Sequence, residues 1–232
     1  MQAEPRALPE EIDFILQQIG RYLVRTPTRA DIRSVFAGLR PLVRSSSKKT
    51  AELSRDHLIT VAGSGLITIT GGKWTTYRRM AEDTVNTAIT KTGLAERACV
   101  TATLPIHGAR IAGQGQGSNS GPTDFHAPLY YYGSDIPAVR ALATADPDLA
   151  ALLHPRLPYI GAEIVYAARE EMCMTVEDAL CRRTRALLLD AQAAIESAPL
   201  VAALLARELG RDARWQKDQL LEFRGLAANY LA

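Results

Sequence analysis

The chain has 232 residues, 27 Lys and Arg against 25 Asp and Glu, and 47% hydrophobic residues. That is enough apolar material for one large core or two small ones, and a net charge of only +2 gives no strong argument for a nucleic-acid binder, so any basic patch must be local. Three cysteines, Cys99, Cys173 and Cys181, form no C-x-x-C pair; this argues against a disulfide framework or a zinc site, fits a reducing compartment, and leaves buried thiol packing as the expectation for all three.

The N-terminal stretch M-Q-A-E-P-R-A-L-P-E-E lacks the charged and then apolar order of a signal peptide. No run reaches the ~18 apolar residues of a membrane span, so any membrane contact is expected to be peripheral. The first element is a helix from about Pro9 to Val24. Pro9 suits the first helical position, Glu10 and Glu11 the positive end, and Ile12, Ile15, Leu16, Ile19 and Leu23 repeat at 3.6-residue spacing as a core face. Thr26-Pro27-Thr28 ends it. Thr28 and Asp31 then cap a short second helix leading into Ala37–Leu42. Pro41 forces Arg40 towards extended backbone, which fixes the reach of a guanidinium suited to a carboxylate or phosphate.

A polar loop, Ser45–Thr50, precedes Ser54-Arg55-Asp56-His57 and a strand over Leu58–Ala62. Gly63-Ser64-Gly65 turns this into a hairpin with a second strand, Leu66–Thr70. Gly71 and Gly72, which can take positive φ, then bend the chain into a helix running to about Thr92, where Gly93 stops it. The first-turn amides of that helix and the charge of Lys73 favour an electron-rich ligand lying against the turn. A Walker A loop is excluded, because Trp74 follows Lys73 and Ile67 stands where the first glycine is needed. Arg55 taken singly is explained by a local pair with Asp56 or Glu52. Arg40, Arg55 and Lys73 all leave strand or turn ends within 34 residues, which argues for one anion-binding pocket.

Val100–Ile106 reads as a further strand, and the Gly-, Ser- and Gln-rich stretch after it as a flexible linker over 111–125. Its G-Q-G-Q-G is not a dinucleotide loop, since no strand-to-helix frame surrounds it. From Ser134 onward the pattern is helical. Helices are expected over Ile136–Ala145, Asp148–Leu153 and Gly161–Met172, then one capped by Thr175 and Asp178 and running through Arg185 towards Ile195. Another restarts at Ser197-Ala198-Pro199 and ends near Gly210, and a last one spans Asp212–Tyr230. The cluster Arg182, Arg183, Arg185 reads as a solvated or salt-bridged face. The fold class is α+β: a partial sheet with helices over 1–110, the linker, and an all-helical domain over 126–232.

Four segments, A-G-L-R-P-L (Ala37–Leu42), S-R-D-H (Ser54–His57), G-G-K-W-T-T-Y-R (Gly71–Arg78) and T-x-x-D-x-L-x-R-R-T (Thr175–Thr184), carry a resemblance to the C-terminal half of the respiratory, FAD-dependent glycerol-3-phosphate dehydrogenases. The resemblance implies that Gly71, Gly72, Lys73, Trp74, Thr75 and Thr76 border the flavin, and that Arg40 and Arg55 hold the substrate. It further implies oxidation of sn-glycerol 3-phosphate to dihydroxyacetone phosphate, with electrons passing through FAD to a quinone, on a cytoplasmic protein peripheral to the inner face of the cell membrane. The family's G-x-G-x-x-G loop belongs to an N-terminal FAD-binding domain that this sequence lacks, so the chain reads as a C-terminal portion, inactive without that domain. The family's catalytic histidine lies there too; none of His57, His107, His126 and His154 matches it, no base is assigned, and each is expected at the surface or in a local hydrogen bond. Strand edges left without their neighbours would favour homo-oligomers. Two other readings stand beside this one: a non-catalytic module docking a partner or membrane through the helices from Ser134, and a flavin amine or amino-acid oxidase, which leaves two arginines beside G-G-K less well explained.

Overall fold

The computed structural model describes residues 5–39, 57–109 and 127–232, and divides into two compact units. One comprises Met1–Gly38 with Gly108–Ala232, the other Leu39–His107. Arg40, Arg55, His126 and the expected linker over 111–125 lie outside the described residues. The described part is helical apart from one two-stranded sheet, in keeping with the expected α+β class.

The first unit holds every buried residue among those described. Helix α1 spans Pro9–Gly20, and the bundle is built from α3 (Ile136–Ala145), α4 (Gly161–Glu170), α5 (Ala186–Leu189), α6 (Ala191–Leu209) and α7 (Ala213–Ala227); α2 (Tyr77–Thr92) belongs to the other unit. The central α6 buries Ala191, Ala194, Ala198, Val201, Ala202 and Leu205. Its alanines let neighbouring helices approach closely, and larger side chains, Ile164 of α4 and Phe223 of α7, fill the core. The chain before Gly38 is strapped onto this bundle. Ala191 N–H donates to Arg33 O (2.9 Å) and Val35 N–H to Tyr230 O (2.9 Å). Ser34 Oγ donates to Leu187 O at 2.7 Å, and Arg33 pairs with the buried Asp190 at 3.1 Å.

Several expectations are corrected here. Helix α1 stops at Gly20 rather than Val24, and none of its residues is buried, so its apolar stripe is not a core face. Asp31 accepts from both Thr28 N–H (2.8 Å) and Thr28 Oγ (2.9 Å), but the result is a single 3-10 turn, Arg29–Asp31. Ile32 then turns extended because the strap that follows bonds to the bundle. The helix expected from Thr175 towards Ile195 is broken into three pieces. Thr184 gives both its N–H (2.9 Å) and its Oγ (2.8 Å) to Ala179 O, closing a π-helical turn over Asp178–Arg183. Arg185 follows at φ +58°, and Asp190 caps α6 by accepting from Ala193 N–H at 2.9 Å. Conversely α6 runs straight through Pro199, where a restart was expected: the buried face offsets the ~3 kcal/mol a helix-interior proline costs. Pro147–Ala150 makes only a 3-10 turn.

The capping pair Thr175–Asp178 does form. Asp178 accepts from Met174 N–H (3.1 Å) and Thr175 N–H (3.0 Å), while its own N–H donates to Thr175 Oγ (3.0 Å). These backbone bonds, with Arg182 beside it, hold the Asp178 carboxyl below its usual range against the opposing effect of burial. Asp178→Ala is expected to cost about 1–2 kcal/mol in urea unfolding at pH 7 and Asp178→Asn appreciably less; equal losses would show that the cap is not what Asp178 contributes. Arg182 also pairs with Asp178 (2.9 Å) and Glu177, and Arg183 donates to Glu171 O (3.0 Å), the salt-bridged face expected of that cluster.

In the second unit β1 (His57–Val61) and β2 (Ile67–Gly71) pair antiparallel, with His57 opposite Gly71 and Val61 opposite Ile67. The connection closes through Gly65, at φ +88°, and a 2.9 Å bond from its N–H to Ala62 O. Helix α2 (Tyr77–Thr92) follows and ends on Gly93 at φ +69°. Val100–Ile106 is not a strand but a series of turns, closed by Thr103 N–H to Val100 O at 3.3 Å. A strand needs a neighbour to take its alternate backbone bonds, and the described sheet contains only β1 and β2. Cys99 is exposed and within 3.0 Å of Thr101 Oγ, which corrects the expectation of three buried thiols; Cys173 is buried, and burial pushes its thiol up to about 12. Among the described residues no helix is long and apolar enough to cross a membrane.

Candidate functional site

The turn at Gly71-Gly72-Lys73 is made by three elements at once. Strand β2 ends at Gly71 (φ +75°), and Gly72 continues at φ +82°. A Cβ on Gly72 would stand 2.4 Å from Met80 Sδ and 3.3 Å from His57 Cβ. Glycine is favoured here first by that φ, which L-residues avoid; of the two neighbours the Met80 thioether is the movable end of a side chain, and His57 Cβ is the one that has little room to give.

Beyond the bend Lys73 is extended (φ −126°), and Trp74–Thr76 form a 3-10 turn that runs into α2. Thr76 secures it by donating both its N–H and its Oγ to Lys73 O, each at 3.0 Å. Tyr77 N–H is likewise taken by Trp74 O, and Lys73 N–H points at Thr76 Oγ (3.4 Å), so the N–H groups of this turn without an intrahelical acceptor are those of Trp74 and Thr75. His57, at the start of β1, anchors to α2 through Asp83 (Nε2 to Oδ2 3.1 Å), a local hydrogen bond as expected for it. Arg79 pairs with Asp83 (3.2 Å) and Arg78 with Glu82 (2.9 Å), so both are tied to acids of α2, while Lys73 projects from an exposed turn.

Trp74 is 86% exposed, an unusual state for the largest apolar side chain, and stacks on Tyr77 with ring centroids 5.5 Å apart. The turn thus presents an ammonium, helix-start amides and a flat aromatic surface on adjacent residues. Such a set suits a planar ligand that carries or gains negative charge. Lys73, Trp74, Thr75 and Thr76 are exposed and follow directly on the half-buried Gly71 and Gly72, whereas Arg40 and Arg55 lie outside the described residues. No group of three or more metal-ligating side chains occurs among the described residues.

Two arrangements escaped the sequence reading. Tyr77 lies three residues after Trp74, a helical spacing that could have disclosed the stacked pair. The fully buried Glu163 accepts from Tyr131 OH and, at 2.8 Å, from Ile160 N–H. Its signal was a Tyr130-Tyr131-Tyr132 run followed by a glutamate at the third position of α4.

The chain belongs to the family of the C-terminal domain of alpha-glycerophosphate oxidase, whose model matches residues 99–217. It is 37% identical over 243 aligned residues to the probable mitochondrial glycerol-3-phosphate dehydrogenase of Caenorhabditis elegans, covering 93% of this chain and 32% of that one. To the human mitochondrial glycerol-3-phosphate dehydrogenase it is 35% identical, covering 91% of this chain and 31% of the other. The structure of the Bacillus halodurans glycerol-3-phosphate dehydrogenase complexed with FAD superposes with a TM-score of 0.73 and 25% identity, over 99% of this chain and 47% of that one. The chain therefore spans about a third of the length of the curated relatives it matches.

Proposed function

We propose that this chain contributes one wall of the flavin site of a glycerol-3-phosphate dehydrogenase, the enzyme that oxidises sn-glycerol 3-phosphate to dihydroxyacetone phosphate and delivers the electrons to a quinone at a membrane surface. The observation that carries the reading is the turn Gly71–Thr76, in which two half-buried glycines at positive φ lead straight into the exposed Lys73 and the 3-10 turn before α2. In this reading residues 1–110 belong to the FAD- and substrate-binding domain and 126–232 form its helical companion, with the segment before Gly38 packed on that companion.

The residues present fit FAD: a planar ring system whose pyrimidine edge becomes negative on reduction finds an ammonium and helix-start amides here, with no carboxylate on the turn itself. When bound, FAD supplies the two-electron acceptor for the hydride leaving C2 of the substrate. Lys73 and the amides before α2 stabilise negative charge on the ring edge and so raise its reduction potential. Gly71 and Gly72, both at positive φ, make the bend that brings the main chain up to the ring. Arg40 and Arg55 hold the phosphate and the hydroxyl-bearing end of the substrate, since a dianion calls for more than one cation. The family's base is contributed by the N-terminal region, and the chain is inactive without that region.

The test fuses this chain to the N-terminal region of the Bacillus halodurans dehydrogenase, in place of the part it matches. FAD and glycerol 3-phosphate are then titrated into the chimera and into the chain by itself. Catalysis is expected in the chimera only, and turnover by the chain alone would refute the division of labour. Lys73→Ala in the chimera is expected to lower the flavin potential and to reduce kcat on the order of 10²-fold, the size seen when one preorganised donor is lost. An unchanged potential would remove Lys73 from the site.

A further inference from the structure

The turn Gly71–Thr76 has little to hold it from within. Gly71 (φ +75°) and Gly72 (φ +82°) carry no side chain that could fix the bend, Lys73 to Thr76 are exposed, and no described residue of the second unit is buried. Support comes from behind the bend, through His57. It stands opposite Gly71 across the sheet, and its Cβ lies 3.3 Å from the place a Cβ on Gly72 would take. Its Nε2 is 3.1 Å from Asp83 Oδ2 on α2, and because a carboxylate only accepts, Nε2 carries the proton and donates. The other oxygen of Asp83 is 3.2 Å from Arg79 Nε, an ion pair that fixes the carboxylate's orientation. His57 and Asp83 are both half-buried, so salt screens their bond less than a surface contact. Among the described residues it is the only hydrogen bond that joins the hairpin to α2.

We infer that His57 and Asp83 are positioning residues for Lys73. With their bond in place both ends of the segment are held: Gly71 by its cross-strand partner His57, which α2 anchors, and Thr76 by its bonds to Lys73 O where α2 begins. Without it the two glycines become a swivel between sheet and helix. Charge that develops on a ring edge is stabilised best by donors already in place, so the pair keeps the ammonium and the Trp74 and Thr75 amides at one distance from that edge. His57 touches neither ring nor substrate in this arrangement; its effect passes through Lys73. This role rests on the flavin reading given above, whereas the bracing of the turn is a property of the chain with or without a flavin.

Amide hydrogen exchange, read by NMR on this chain, tests the brace. The reporters are Thr76 N–H, which donates to Lys73 O, and Tyr77 N–H, which donates to Trp74 O; Gly65 N–H in the hairpin turn and Leu94 N–H at the end of α2 are the controls. His57→Phe, which keeps a ring without a donor, is expected to speed the reporters about 10-fold and to leave the controls within about twofold. His57→Gln, whose amide can reach Asp83, restores most of the protection, and His57→Phe adds nothing once Asp83→Ala is present. Should phenylalanine unsettle the hairpin, Asp83→Ala, which leaves both strands untouched, is read in the same way. Unchanged reporters, an equal rise at reporters and controls, or full additivity of the two changes would overturn the role. In the chimera His57→Phe is expected to lower the flavin potential in the same direction as Lys73→Ala, by less, and to have no effect when Lys73 is already replaced. A further fall in that background would overturn the positioning role. A potential that Lys73→Ala itself leaves unmoved, with the exchange result intact, would instead remove the flavin reading, so brace and flavin site fail separately.

Discussion

Phe223→Ala is expected to cost the helical unit about 3–5 kcal/mol, the largest loss any single apolar truncation in this chain should produce. Phe223 is 1% exposed and is the largest fully buried side chain among the described residues. It sits on α7 and packs in the core formed with α4 and α6. Alanine there removes the ring's transfer free energy and leaves a cavity that the surrounding helices close only in part, because α7 is tied to the segment before the π-helical turn by Gln219, which accepts from Val176 N–H at 3.0 Å. Leu221, two residues earlier on the same helix and 74% exposed, provides the internal control. Leu221→Ala should fall within about 0.5 kcal/mol of the parent. Urea midpoints at constant m-value would measure both, and a loss below about 1 kcal/mol for Phe223→Ala would mean that α7 is not part of the cooperative unit.

The contrast between those two positions shows how far a sequence can be read. Periodicity reveals that α1, α3, α4, α6 and α7 are helices, because each shows a stripe at 3.6-residue spacing. It does not reveal whether the stripe has anything to pack against. In α6 the stripe became core, and in α1 it stayed in water, since burial depends on what the rest of the chain supplies. The hairpin, by contrast, was legible almost to the residue: β-branched runs flank Gly63-Ser64-Gly65, and turn chemistry is local. The breaks at the π-helical turn and at Arg185 were not legible, because they follow from the long-range demands of Val176, Leu180 and Leu187 reaching the core. The same division holds in the site. The glycines, Lys73 and the start of the helix are written in consecutive letters, whereas the Trp74–Tyr77 stack and the clamp of Gly72 between Met80 and His57 required the backbone to be in place.

Removal of the buried Glu163 carboxyl is expected to act through both hydrogen bonding and pH. The groups that face it are the hydroxyls of Tyr131 and Tyr132 and the Ile160 N–H, with Tyr159 and Glu171 adding field. Glu163→Ala leaves two phenols and one amide without their acceptor, at about 1–3 kcal/mol for each group that water cannot reach. Glu163→Gln keeps the shape and an acceptor oxygen and isolates the charge. Burial raises the Glu163 carboxyl above the usual glutamate range, against the opposing pull of its three donors. The folded state therefore holds that proton to higher pH than the unfolded chain does. Its contribution to stability is complete below the unfolded value and is lost as pH rises through the folded one. Asp178 and Glu196, both lowered, act in the opposite sense: their contributions are present above their ordinary values and are lost as pH falls. The phenols of Tyr131 and Tyr132 are pushed far up by burial and by Glu163 itself, so they remain donors throughout. Wild-type stability should then decline from about pH 4.5 upward more steeply than that of Glu163→Gln, while the two share the same acid limb. Urea unfolding from pH 4 to 8 reads this directly, and parallel profiles would show that the tyrosine cage already compensates the buried charge in full.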